Sequence, residues 1–437
     1  MTLPEAKIAD VPLPPEAIPS LKESPQRWWL MALLVIGMIF CYAHRGALSV
    51  AAPFMIKELE LSPASMGVLL SAFFWLYCFM QVPAGLLVDR FGVRRAYALG
   101  FAFWSLASAA TGLAQGLLAL IFLRMLLGAG QAVAFPASAR AVANWFWDRE
   151  RGTVTGSYLA GVRLGAALVG GVGAFFLAAY GWKLFFLVIG IVPLLWVIPW
   201  WSFLGKWEKA PAKATPAARK TSSTSGPSLI KSLALLKHRS VFGIFLGFFA
   251  YDYAWFVYLN WLPGYLALER HFSPTEMAVY SSVPYVVMSV IILISGFLSD
   301  WLIRRGWAET RVRKAFIVAG LAVACLIVPA GLVENKITAV WLMTISLCGL
   351  GISSPNTWTL TQAVCSKNIV GTVSGIQNFG GNLGGIIAPA LTGYIAHTTK
   401  SFALALSITG AVLVVGILSY LLLISQKVEA QPGGGAS

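Results

Sequence analysis

Long apolar runs alternate along the chain with short breaks that hold charge, proline or glycine. A helix needs about 20 apolar residues to cross the hydrocarbon core of a bilayer. Runs of that length predict spans near 27–53, 65–88, 95–115, 117–143, 152–178 and 182–204, then near 239–267, 276–303, 313–333, 337–363, 369–397 and 401–425. The pattern predicts an all-α polytopic membrane protein, with twelve transmembrane helices in two pseudo-symmetric six-helix bundles. The N-terminal bundle covers 27–204 and the C-terminal bundle 239–425. Residues 1–26 and 426–437 read as cytoplasmic tails. The segment 205–238 contains Lys-Ala-Pro-Ala-Lys-Ala-Thr-Pro followed by Ser/Thr-rich sequence, the composition of a flexible cytoplasmic linker.

Composition fixes the solvent. Hydrophobic residues make up 58% of the chain and charged residues 11%, where a soluble domain carries roughly 25% charged residues. Too little polar surface remains to cover a water-soluble globule, so the lipid bilayer is the partner the chain requires. The formal net charge of +15 raises nucleic acid as a partner. The basic residues lie between the spans, however, where they act as topology signals, and nucleic-acid binding is excluded on that ground. Loops on the N-terminal side hold 23 Lys and Arg and the opposite loops 5, which places both termini in the cytoplasm. The first 26 residues carry Glu5, Asp10, Glu16 and several prolines before any apolar run, unlike a cleavable signal peptide. Cys41, Cys78, Cys325, Cys348 and Cys365 stand singly in or beside apolar runs and read as packing residues, with neither a disulfide nor a metal site. Tryptophans at span ends, such as Trp28, Trp29, Trp200 and Trp201, read as an interfacial belt.

An internal repeat supports the division into halves. Gly85-Leu-Leu-Val-Asp89-Arg90-Phe-Gly92-Val-Arg94-Arg95 follows the second span, and Gly296-Phe-Leu-Ser-Asp300-Trp-Leu-Ile-Arg304-Arg305 follows the eighth. Duplicated six-helix units with a binding site at their interface are a common plan of secondary transporters. The first of these loops resembles the signature loop of the major facilitator superfamily, and the resemblance extends over all twelve spans. Further stretches resemble its anion:cation symporter branch: Tyr42-Ala-His44-Arg45, Gln81-Val-Pro83-Ala-Gly85, Arg124-Met-Leu-Leu-Gly128-Ala-Gly130, Trp261-Leu-Pro263-Gly-Tyr265, Pro355-Asn356-Thr-Trp358, and Gly375-Ile-Gln377-Asn378-Phe-Gly380-Gly381-Asn382. Members of that branch carry sugar acids, tartrate, phthalate and other organic anions, and vesicular glutamate and sialic-acid carriers are similar. The resemblance implies a secondary transporter importing a small organic anion by alternating access, with a proton as coupling ion. It also implies a monomer without cofactor or metal, in a bacterial inner (cytoplasmic) membrane.

The residues themselves point the same way. An ionisable group at the centre of a span costs at least ~2.5 kcal/mol, which makes each one a functional candidate. Here the set is His44, Arg45, Arg124, Arg163 and Asp252. Three guanidinium groups against one carboxylate leave a positive surplus that an anion would neutralise, and arginine's planar fork suits a carboxylate or sulfonate. Arg45 ranks first, because the resemblance implies that its counterpart holds the substrate carboxylate; the alternative is pairing with Asp252 or a backbone carbonyl. Arg124 lies near a span end, where snorkelling is the competing reading. Arg163, among Gly161, Gly165, Gly170 and Gly171, is a second anion contact or a helix tether. Tyr42 lies three residues before Arg45 on one helical face. With Tyr77, Asn356, Trp358, Asn378 and Asn382 it completes the expected substrate site, with hydrogen bonding between helices as the alternative role of the amides.

Coupling departs from the pattern of the branch, which places acidic residues where this chain has His44 and Gln131. Asp252 becomes the candidate proton carrier with His44 as its partner; a static Asp252–Arg45 salt bridge is the alternative. Asp89, Arg90, Arg94, Arg140 and Asp300 are expected to form a cytoplasmic gate in which Asp89 accepts from Arg140. Other function classes fit less well. An exporter or exchanger of amphipathic compounds needs a large apolar cavity. An enzyme needs a nucleophile or metal cluster, and His44, His238, His271 and His397 lie far apart. A phosphate-cradling loop for ATP hydrolysis does not occur in the sequence.

Overall fold

The structure, a computed structural model, describes residues 22–205, 235–366 and 369–424. The expected tails and most of the expected linker lie outside the described residues. Nine helices among the described residues are long and apolar enough to cross a membrane. Two of these stretches hold two passes each: Pro63–Thr111 breaks at Gly92, and the run from Val154 to Gly205 breaks at Gly181. Both glycines adopt positive φ, 80° and 76°, where a Cβ would be strained, so the chain reverses there without a loop. Val370–Thr399, a helix of 30 residues, supplies the twelfth pass.

Local chemistry fixes the remaining boundaries. Ser62 caps the second span by accepting from the Ser65 amide, with Pro63 opening the helix. Ser273 and Glu276 form a reciprocal capping box on the eighth span, Pro274–Arg304. Asn335 accepts from the amides of Ile337 and Thr338 at the head of the tenth, Lys336–Val364. The fifth span, Asp148–Leu168, widens into a π turn at Val169–Gly173, which holds three glycines. Within the N-terminal bundle, rings from the third and sixth spans pack on one another: Phe101 stacks on Trp196 at 4.5 Å and Trp196 on Trp200 at 4.8 Å. Trp200 is fully buried and donates to the Arg94 carbonyl at 3.1 Å. It is therefore a core residue and not part of an interfacial belt, because its indole reaches a backbone acceptor inside the bundle.

The two bundles meet along three helix pairs. The first span, Arg27–Glu58, meets the seventh, Arg239–Leu268, where Ser49 donates to the Asn260 carbonyl at 2.7 Å. The second meets the eleventh, where a Cβ on Gly67 would sit 2.6 Å from the Pro389 carbonyl oxygen and one on Gly393 would press on that of Pro63. The fifth meets the eighth, where a Cβ on Gly171 would approach the Ser282 hydroxyl to 2.9 Å. All three contacts lie toward the face opposite the arginine-rich loops. Toward that basic face a Cβ on Gly85, Gly156 or Gly375 would meet nothing within 4 Å. The close contacts between the halves thus gather toward one face.

The seam makes a stability prediction. Gly393→Val overfills a site walled by backbone atoms, at an expected cost of about 1–3 kcal/mol, seen as a lowered melting temperature in detergent. Gly375→Ala, which adds a methyl to open space, leaves melting unchanged. Equal melting of both variants with the parent would show that the seam is not close-packed.

Candidate functional site

At mid-depth between the bundles, Arg45 is only 3% exposed. Its guanidinium lies 4.4 Å from the ring centres of Tyr42 and Phe73 and 4.8 Å from that of Tyr77. Phe73 and Tyr77 are four residues apart and present their rings from one face of the second span. Such a cage offers a desolvated cation on the order of 2 kcal/mol per well-placed ring. The hydrogen bonds are all to neutral groups: NH1 donates to Tyr42 OH at 3.2 Å, and Nε and NH2 both donate to Gln131 Oε1 at 3.3 Å. Gln131 is held in turn by donating its own amide to the Cys41 carbonyl at 2.8 Å. Arg45 is therefore oriented with care and left with its charge.

Arg124 stands behind it, 2% exposed, with NH2 donating to the Arg45 carbonyl at 3.2 Å. Its Nε and NH1 are buried without a hydrogen-bond partner. It does not snorkel to the membrane surface. Arg163 is half-buried, with its guanidinium carbon 3.7 Å above the Trp255 ring and NH2 donating to Tyr251 OH at 3.4 Å. Among the described residues, none of these three arginines has a carboxylate within ion-pair distance, and Asp252 has no ion-pair or hydrogen-bond partner. A static Asp252–Arg45 salt bridge is absent.

The other expected site residues divide. Asn378 and Asn382, four apart on the eleventh span, make no side-chain hydrogen bond among the described residues and keep their amides available. Trp358 packs edge-on against Phe248 at 5.1 Å. Asn356 is fully buried and committed to helix packing: it donates to Ser295 Oγ at 3.2 Å and accepts from Arg313 at 3.3 Å. His44 is fully buried and its Nε2 sits 2.6 Å from the Ile189 carbonyl oxygen on the sixth span. The structure does not bring His44 and Asp252 together, because consecutive residues on a helix face directions about 100° apart and Arg45 occupies the direction of the interface.

At the basic face Arg140 donates to Asp89 at 2.9 Å, with both side chains more than half exposed. Arg94 stacks on Trp201 at 4.1 Å and donates to its carbonyl at 3.1 Å, and Arg90 lies 5.3 Å from the Phe91 ring. Asp300 accepts from Arg313 at 2.6 Å. Arg313, at the head of the ninth span, is 7% exposed and also donates to Ser299 at 2.8 Å. The repeated Gly-x-x-x-Asp signal could have found it, since Asp300 called for a partner equivalent to Arg140.

Two six-helix bundles of membrane-crossing helices, close-packed on one another toward one face and holding a caged arginine near their junction, define the class of polytopic membrane carriers. Residues 34–389 match the Major Facilitator Superfamily, and the chain belongs to that family. It is 31% identical over 420 residues to a D-galactonate transporter of Escherichia coli O6:H1, covering 92% of this chain and 96% of that protein. It is 32% identical over 408 residues to a hexuronate transporter of Bacillus subtilis, covering 93% and 96%. A probable galactarate/D-glucarate transporter of Escherichia coli K12 is 31% identical over 430 residues, covering 93% and 96%. Among solved structures, a bacterial homologue of the human lysosomal transporter Spinster, inward-facing and unoccupied, superposes with a TM-score of 0.75 at 18% identity, covering 92% of this chain and 97% of that one. That likeness establishes the fold.

Gln131→Leu is expected to leave Arg45 without its main acceptor. Hydrogen bonds to a charged group contribute about 1.5–3 kcal/mol, so melting falls measurably in the absence of ligand. Unaltered melting would show that the aromatic cage alone holds the guanidinium.

Proposed function

We propose that the protein imports a small organic anion of the sugar-acid class across the bacterial cytoplasmic membrane, by proton symport and alternating access, as a monomer. The observation that carries the reading is Arg45: buried, caged by rings, bonded only to neutral partners, and without a carboxylate among the described residues. A cation held at depth in this way lacks a counter-charge, and a carboxylate fits its free edge. The names of the relatives supply the class: galactonate, hexuronate and galactarate/glucarate are polyhydroxy acids. The free amides of Asn378 and Asn382 suit hydroxyl groups.

In this reading the basic face is cytoplasmic by the positive-inside rule. The close contacts at Gly67, Gly393 and Gly171 then lie on the outer side, which supports an inward-opening form of the carrier. Rocking the bundles about the site would close the inner cleft and part the outer seam. Asp252, half-buried and unpaired in the cleft, is the proton carrier of this scheme, without help from His44.

Two variants test it. Arg45→Gln is expected to weaken organic-anion binding by about tenfold to a hundredfold, since each charge-assisted hydrogen bond is worth about 1.5–3 kcal/mol. Binding is read by ligand-induced thermal shift against a sugar-acid panel, and unchanged affinity would end the anion reading. Asp252→Asn is expected to abolish substrate-driven alkalinisation outside proteoliposomes while leaving binding in place. Undiminished proton uptake in that variant would remove Asp252 from the scheme.

A further inference from the structure

Arg163, on the fifth span of the N-terminal bundle, belongs to a second cluster, formed with residues of the seventh span. Its guanidinium is laid flat on Trp255 at 3.7 Å, and Trp255 is braced edge-on by Tyr285 at 5.8 Å. Stacking covers one face of the fork and leaves its N–H edge directed in the plane of the group. Of the five N–H donors that an arginine carries, one is engaged among the described residues, by the long 3.4 Å bond to Tyr251 OH. The others are not sealed from solvent, unlike those of Arg124. This is a preoriented guanidinium with an unfilled, water-accessible edge.

Arg45 and Arg163 stand on packed neighbours: a Cβ on Gly165, two residues beyond Arg163, would lie 3.1 Å from the amide nitrogen of Ala43, two residues before Arg45. The seventh span brings Asp252 beside Tyr251, the partner of Arg163. Counting Arg124, which stands behind Arg45, these groups give three guanidiniums against the single carboxylate of Asp252, a surplus of two positive charges with Asp252 ionised. A singly charged acid leaves one of them uncompensated in a low-dielectric site, and a doubly charged acid leaves none.

We propose that Arg163, with Tyr251 and Trp255, is a second anion subsite facing Arg45, so that the carrier takes small dianions, molecules with an acidic group at each end, in preference to monoanions. This rests on the organic-anion reading above and narrows it. The first subsite, at Arg45, holds one acidic group from the N-terminal bundle. The second, at Arg163 on the same bundle, holds the other through an in-plane contact with the fork stacked on Trp255. A dianion thus engages both arginines through its two ends, and a monoanion engages one.

The test uses the purified full-length chain in detergent and two pairs of acids matched in carbon number, D-galactonate with galactarate and butyrate with succinate. Affinities are read by thermal shift for the parent, Arg163→Gln and Arg45→Gln. In the parent, the dianion of at least one pair is expected to bind at least about tenfold tighter than its partner, the scale of one charge-assisted contact. Arg163→Gln is expected to remove that preference while keeping monoanion affinity within about twofold, and Arg45→Gln to weaken both members. Equal affinity within both pairs for the parent overturns the second subsite even if Arg163→Gln proves unstable. So does an equal loss of mono- and dianion affinity in a stable Arg163→Gln. Failure of every acid to bind, or binding unaffected by Arg45→Gln, would instead overturn the organic-anion reading itself.

Discussion

A guanidinium group placed between two helix bundles at membrane depth dictates much of what surrounds it. Water is scarce there and lipid offers no counter-charge, so the protein must supply rings, dipoles or an ion. Around Arg45 it supplies rings and dipoles: three aromatic faces, one phenol oxygen and one amide oxygen. These orient the cation and spread its charge, yet they leave its full unit of charge in place. Every neighbouring choice follows from this constraint. Phe73 and Tyr77 come from the second span, Gln131 from the fourth, and Arg124 ties the backbone of the first span to the fourth from behind. The N-terminal bundle is thereby assembled around one cation.

The C-terminal bundle answers with a different arrangement. Its seventh span brings Tyr251, Asp252 and Trp255 to the interface, and two of these engage an arginine that belongs to the other bundle. The link between the bundles at that level is a stacked ring and a long hydrogen bond, both of which tolerate sliding. Close packing is kept for the seam at one face, where glycines let backbones of the second and eleventh spans touch. The combination gives a joint that is tight at one end and compliant in the middle.

Much of this was legible in the sequence. The run lengths gave the number of passes, and the rarity of charge inside them singled out the same arginines that the fold brings to the interface. What the sequence concealed was direction. Periodicity places residues on a helix face but does not say which neighbour that face meets, so His44 was read as the partner of Asp252 although its ring turns to Ile189 of the sixth span. Asn356 was read as lining the cleft, and the fold spends its amide on Ser295 and Arg313. Trp200 was placed at the lipid interface because it ends a span, and only the packing of the sixth span on the third shows it to be core. Arg313 was hidden by its position beside exposed basic residues, its burial arising from tertiary packing that no local pattern records.

The glutamine beneath Arg45 has a consequence of its own. A carboxylic acid in that place could gain or lose a proton and so tighten or loosen its hold on the cation as cargo came and went. An amide has no such second state. The hold of this residue on Arg45 therefore stays constant across the working range of acidity, and any response of the surroundings to protons has to come from another group.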